Sequence, residues 1–327
     1  MKQLIENFSL QLSTALEIGK KFKATKSTTK FENVVVSGLG GSGIGADLVR
    51  EYVAGELKLP FIVLKDYVIP NFINDKTLFI ASSYSGNTEE TLNSVEIALK
   101  KKAKVVCITS GGKLEEIAKK KKLDIIVIPG GMPPRACLGY SFIQQLYVLK
   151  NFKLIKNTFE ADLASAINLL KKESKSIQKS ASTIANKLFD KMPIIYAVNG
   201  MESVAVRFRQ QVNENGKQLC WHHIIPEMNH NELVGWRTKD EKLVVVIFRN
   251  KEDFARSQTR IELNKKIFKQ YTSNVIEIWS KGNSYLERAL YLIHLGDWIS
   301  WELSVLRNFD CTEVKVIDWL KGELAKK

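Results

Sequence analysis

Two short stretches of this sequence combine glycine with hydroxyl side chains in a pattern suited to holding an anion. Gly40-Gly41-Ser42-Gly43 and Ser82-Ser83-Tyr84-Ser85-Gly86-Asn87-Thr88 each follow a β-branched run and precede a helical pattern. Such a loop opens onto a helix N-terminus, where free N–H groups and the positive dipole end attract negative charge. Ser42, Ser83, Ser85 and Thr88 add hydroxyl donors, and hydrogen bonds to a charged group contribute about 1.5–3 kcal/mol each. A phosphate can therefore be held without a lysine. The plain alternative is a pair of tight turns with N-capping serines, but two such loops on neighbouring strands favour phosphate. A Walker loop would end in Gly-Lys-Ser/Thr, which is absent, so a nucleoside triphosphate with magnesium is not implied. Gly38-Leu39-Gly40-Gly41-Ser42-Gly43 fits GxGxxG. A dinucleotide fold should also carry an acid closing a second strand about twenty residues on, and Asp66 comes late for that role.

Acid–base candidates lie further along. Glu214 sits in Val212-Asn213-Glu214-Asn215-Gly216-Lys217, where a helical stretch stops at glycine. That places a carboxylate at a backbone break, although a lone glutamate before a glycine stop is more often plain surface. His230 lies in the polar run Pro226-Glu227-Met228-Asn229-His230-Asn231-Glu232 rather than on an apolar face, and histidine is a residue type suited to proton transfer to a ring oxygen. His222, His223, His230 and Cys220 invite a metal reading. Adjacent residues of a strand face opposite ways, however, and neither HExxH nor paired-cysteine spacing occurs, so metal is the weaker reading. Arg135 follows Pro133-Pro134, which stiffen its approach; the alternative is a surface arginine or an ion pair. Lys321, close to the C-terminal residue, reads by itself as solvent-facing.

The elements that must position these groups alternate strand and helix. Apolar runs at 34–36, 78–81, 105–108 and 125–128 each lead into a Gly/Ser/Thr/Pro loop and a helical pattern. The second half repeats the plan less clearly, with runs at 194–198, 243–248 and 275–279. Continuous apolar strands between helices predict doubly wound, flavodoxin-like parallel sheets covered on both faces, with ligands beyond the carboxyl ends of the strands. The stretch 151–190 reads as helical with no Pro/Gly linker. The expectation is two similar α/β subdomains packed together, 1–155 with the phosphate loops and 156–327 with the acid–base residues.

GLGGSGIG, SSYSGNTEET, PGGMPPRACLGY, NENGK and EMNHNE occur in that order across nearly the whole chain. With them the sequence resembles the bifunctional phosphoglucose/phosphomannose isomerase family, built on the sugar isomerase (SIS) fold. The resemblance implies two SIS subdomains, a homodimer, and interconversion of glucose 6-phosphate and mannose 6-phosphate with fructose 6-phosphate, without metal or other cofactor. It makes Glu214 the proton-transfer base and gives His230 the ring opening; in related isomerases this histidine reaches the partner subunit's active site. It assigns Arg135 to the enediolate, Lys321 to a catalytic C-terminal helix, and Thr312 to tolerance of either C2 epimer. The rival is a non-catalytic phosphosugar-binding protein of the same fold. A regulator would need a DNA-binding domain, and an amidotransferase an N-terminal cysteine where this chain has Lys2.

Composition agrees. At 327 residues the chain suits two domains, and 45% apolar with 26% charged residues is globular rather than disordered. Its net charge of +14 falls largely in helix-like lysine runs with no nucleic-acid-binding signature, and a basic field also suits an anionic metabolite. The four scattered cysteines suggest reduced thiols and a cytoplasmic protein. No signal peptide is expected. The apolar stretch 286–306 carries Glu287, Arg288, Asp297 and Glu302, which predicts a buried or interface helix rather than a membrane span.

Overall fold

The structure, a computed structural model, describes residues 1–324 and 326. Two compact units divide the chain. One comprises Glu6–Lys171 with Gly282–Glu287, and the other comprises Met1–Ile5, Lys172–Lys281 and Arg288–Lys327. The amphipathic N-terminal pattern forms two helices, α1 (Lys2–Glu6) and α2 (Phe8–Lys21), interrupted at Asn7. Asparagine favours turns over helix interiors because its short amide competes for backbone hydrogen bonds.

In the first unit follow β1 (Asn33–Ser37), α3 (Gly40–Val53), β2 (Phe61–Leu64), β3 (Thr77–Ser82), α4 (Glu89–Lys100), β4 (Lys104–Thr109), α5 (Gly112–Lys121), β5 (Asp124–Val127) and α6 (Leu138–Asn151). The strands form one parallel sheet in the order β2-β1-β3-β4-β5, with Val35 between Ile62 and Phe79. Every residue of β1 and β3 is buried, as unbroken apolar runs demand when helices cover both faces. The winding reverses between β1 and β3, so the loops 38–43 and 82–88 flank the crevice where open α/β sheets bind ligands. The edge strand β2 escapes the sequence reading because it is four residues long and mostly half-buried.

α7 (Thr158–Leu188) runs from the first unit into the second. There β6 (Met192–Val198), α8 (Glu202–Glu214), β7 (Trp221–Ile225), β8 (Leu243–Arg249), α9 (Ala255–Phe268) and β9 (Val275–Trp279) follow, then α10 (Tyr285–Leu306), whose first three residues belong to the first unit, and α11 (Lys315–Leu324). Their strands pair in parallel as β7-β6-β8-β9. Alternation along the strands separates two faces. Tyr196, Val245 and Ile247 face Met228, Trp236, Ile261 and Phe268. Phe248, of opposite parity, meets Phe208 of α8 edge-on at 5.5 Å. α8 therefore lies on one face, and the 226–236 segment with α9 on the other. The apolar stretch 286–306 falls within α10, and no described helix is long and apolar enough to cross a membrane.

Candidate functional site

Both glycine-serine stretches stand where the sequence places them, at helix starts. α3 begins at Gly40 and α4 directly after Thr88. Gly40 (φ 52°) and Gly86 (φ 67°) hold left-handed backbone that favours glycine. The two loops touch: a methyl group on Gly38 would lie 2.8 Å from the Ser82 carbonyl oxygen. Ser42 and Ser83 are buried and Ser85 is exposed. The Ser83 and Thr88 hydroxyls pair at 2.8 Å, which consumes one proton and leaves the other to donate. Ser85 Oγ accepts the Asn87 N–H at 3.2 Å, so its own proton is free to point outward.

A second layer fixes the shape of the 82–88 turn. The Tyr84 carbonyl accepts the Ser110 N–H at 3.0 Å and the Ser110 hydroxyl at 2.6 Å. The Gly86 carbonyl accepts the Leu114 N–H at 2.9 Å, and Asn87 Oδ1 accepts the Lys113 N–H at 3.1 Å. A methyl on Gly86 would lie 1.8 Å from the Gly111 carbonyl oxygen, so only glycine fits.

Arg135 belongs to the same unit, in the 3-10 turn Pro134–Ala136, and is 5% exposed; it is not a surface arginine. Its turn packs on the first loop, since a methyl on Gly41 would lie 2.9 Å from the Pro134 carbonyl oxygen. The Tyr84 hydroxyl accepts the Met132 N–H at 3.1 Å and so ties the second loop to the same segment. Burial pushes the Tyr84 phenol above its ordinary range and keeps it neutral. Gly40, Gly41, Ser42, Ser83, Ser85, Thr88 and Arg135 thus share the sheet's carboxyl end. β2 closes at Leu64, so Asp66, late by residue count, follows it by only two residues; its carboxylate accepts the Tyr67 N–H at 2.6 Å.

In the other unit, Glu214 is the last residue of α8 and is half-buried. Each neighbour in its motif is committed. Asn213 Nδ2 donates to the Gln218 carbonyl at 2.7 Å, and the buried Asn215 donates to Ser300 Oγ on α10 at 3.0 Å. Gly216 has no space for a side chain, a methyl there lying 2.8 Å from the Val212 carbonyl oxygen. Lys217, at φ 52°, turns its ammonium back to the Glu214 carbonyl at 2.7 Å and also to the Glu313 carbonyl. Beneath lies a buried network in which Asp297 receives Gln211 at 2.7 Å and Arg207 at 3.1 Å. Burial pushes the Asp297 carboxyl up against the opposing pull of Arg207 and Gln211.

His230 ends the 3-10 turn Glu227–His230 and is exposed. Glu232 anchors its strap, accepting Tyr196 OH at 2.5 Å and meeting His223 Nδ1 at 2.7 Å. Because the strap and α8 occupy opposite faces of the sheet, one chain does not bring His230 to Glu214. His222 is held down to about 4, first by burial and then by Arg209 and His223, so it is neutral at pH 7. Among the described residues no three His, Cys, Asp or Glu side chains converge as a metal-ligand set. Burial raises the Cys220 thiol to about 12, which leaves it a poor nucleophile.

Thr312 is exposed, its N–H and hydroxyl both donating to Asp310 Oδ1 at 2.8 and 2.6 Å. Lys321 is exposed on α11, a helix with no buried residue among those described. Tyr84, Lys217 and Glu232 were not singled out from sequence. Their only signal was position inside the quoted motifs; what each one holds is a tertiary fact.

A family description, bacterial phospho-glucose isomerase C-terminal SIS domain, matches residues 177–324, and SIS domain matches residues 29–149. A bifunctional phosphoglucose/phosphomannose isomerase of Caldicellulosiruptor bescii is 40% identical, covering 100% of this chain and 99% of its own. One of the same name from Aquifex aeolicus is 36% identical over 92% of this chain and 93% of its own. Among solved structures, the C-terminal domain of glucosamine-fructose-6-phosphate aminotransferase from Francisella tularensis superposes with a TM-score of 0.75. It is 14% identical over 96% of this chain and 97% of that one, a likeness of fold.

Proposed function

We infer, because this chain belongs to the bifunctional phosphoglucose/phosphomannose isomerase family, that it interconverts glucose 6-phosphate and mannose 6-phosphate with fructose 6-phosphate. The reaction moves one proton between adjacent carbons through an enediolate. It requires a carboxylate base, a group that opens the sugar ring, and positive charge beside the developing oxyanion. In our reading Ser42, Ser83, Ser85 and Thr88, with the backbone of Gly40 and Gly41, hold the phosphate. Glu214 takes the C2 proton and returns it to C1. Arg135 stabilises the enediolate, His230 with Lys321 opens the ring, and Thr312 admits either epimer. No metal takes part, and the enzyme works in the cytoplasm, with phosphate held by residues of 1–155 and protons moved by residues of 156–327.

The observation that carries the base assignment is the turn after α8. There Asn213, Asn215 and Lys217 are all spent on fixing the backbone around Glu214. The sheet between Glu214 and His230 supports a homodimer in which each chain lends His230 to its partner. The test is a coupled assay with fructose 6-phosphate, following both aldose products in the presence of a chelator. Glu214→Gln should lose ~10²–10⁴ of turnover at unchanged circular dichroism. Wild-type turnover in that variant, or chelator-sensitive turnover in the native protein, refutes the corresponding part.

A further inference from the structure

We propose that Lys217 is the positioning residue for the base: its single ammonium clamps the end of α8 to the C-terminal segment that carries Thr312 and leads into α11. The inference rests on the reading of Glu214 as base. A helix end leaves its last carbonyls without intrahelical partners, and a lysine just beyond it is suited to capping them. Here the cap closes on the carbonyl of Glu214 itself, at 2.7 Å, and the same nitrogen also donates to the Glu313 carbonyl. The Asp310 carboxyl lies below its ordinary range, chiefly because the Thr312 hydroxyl and N–H donate to it. The nearby Lys217 charge adds to this. One ammonium thus faces both the α8 terminus and the 310–313 turn.

The backbone of Lys217 is left-handed, at φ 52°, a conformation that glycine adopts at less cost than lysine. Lysine is nonetheless the residue present, and what it adds over glycine is the ammonium that makes the two bonds. Its loss removes one bond from the Glu214 carbonyl and the bond that ties Glu313 to the same ammonium. The carboxylate then samples positions off the C2 proton, and misplacement of about 1 Å costs up to ~10²-fold in rate. Phosphate binding, which falls to other residues, is untouched, so the effect belongs in kcat rather than KM.

Lys217→Met should lower kcat about tenfold for both aldose products with KM within about twofold. Should that variant not fold, Lys217→Gly, matched to the left-handed backbone, should show the same split with its thermal midpoint kept. Lys217→Cys, equally slow, should recover most of its kcat on alkylation with bromoethylamine, which rebuilds an ammonium on a thioether stem. Wild-type protein treated in parallel is the reference, and its Cys220 thiol, raised to about 12, reacts slowly. A wild-type kcat in a folded Met or Gly variant, or a loss that aminoethylation leaves unrepaired, overturns the proposal. Glu214→Gln run alongside separates the two readings. Full turnover there removes the base itself, whereas a slow Glu214→Gln beside a normal Lys217→Met removes only the clamp.

Discussion

Glu214 and His230 lie on opposite faces of one four-stranded sheet, the first at the end of α8 and the second on the strap beyond β7. If each sugar ring is opened by the partner's histidine, two dead variants should complement. Glu214→Gln and His230→Asn chains, each inactive, should regain about a quarter of wild-type activity when unfolded together and refolded. Half of the dimers are then mixed, and each mixed dimer has one intact site. An inactive mixture that still contains mixed dimers would exclude the shared arrangement.

The Tyr84 hydroxyl links the 82–88 turn to the segment leading into Arg135. Tyr84→Phe keeps the ring but leaves the Met132 N–H without its acceptor, at a cost of about 1–3 kcal/mol. Thermal stability should fall by that amount, with a several-fold rise in KM for fructose 6-phosphate as the two loops drift apart. Calorimetry and initial rates check both.

Neighbouring glycines should separate in their effects. Gly40 faces open space, so Gly40→Ala meets only the left-handed backbone penalty, about 1–2 kcal/mol. Gly41→Ala drives a methyl onto the Pro134 carbonyl and must push α3 off the Arg135 turn. Its KM for sugar phosphate should therefore rise at least tenfold, whereas that of Gly40→Ala should stay within about threefold.

Glu232 holds the His230 strap to β6 and β7. Glu232→Ala leaves the buried Tyr196 hydroxyl without its acceptor, a loss of about 1–3 kcal/mol. Activity should fall with it, because the strap then no longer holds His230 in place. Faster amide hydrogen exchange across 226–236, with β8 still protected, would locate the damage.

Burial holds His294, 4% exposed on α10, down to about 4, and His222 likewise. The unfolded chain, with histidine near 6.5, takes up these protons first as pH falls. Their contribution to stability is therefore complete above pH 6.5 and is lost as pH drops from 6.5 toward 4. For His294 the loss is on the order of 3 kcal/mol. His294→Phe, which keeps a ring beside Trp298, should flatten the decline of thermal midpoint with acid over that window.

The layered α/β plan and the two glycine-serine loops were legible along the chain. Both are local: β-branched runs such as 34–36 need cover on both faces, and glycines such as Gly40 and Gly86 mark left-handed backbone at helix starts. A helical pattern stopping at Gly216 put Glu214 at a backbone break, where a lone glutamate is more often surface, and the resemblance carried by NENGK gave it the role of base. The sequence did not yield β2, a four-residue edge strand that stays mostly half-buried, nor the break at Asn7.

What the polar side chains hold follows from long-range packing. Tyr84 on Met132, Lys217 on Glu214 and Glu313, and Asn215 on Ser300 span 48, 96 and 85 residues at the longest reach of each. No local pattern encodes such pairings. They exist because parallel strands return through helices, and that return brings chain ends far apart in sequence to one sheet edge or one helix terminus. The separation of Glu214 from His230 has the same origin, since which face a residue joins depends on how its helix or strap crosses back over the sheet.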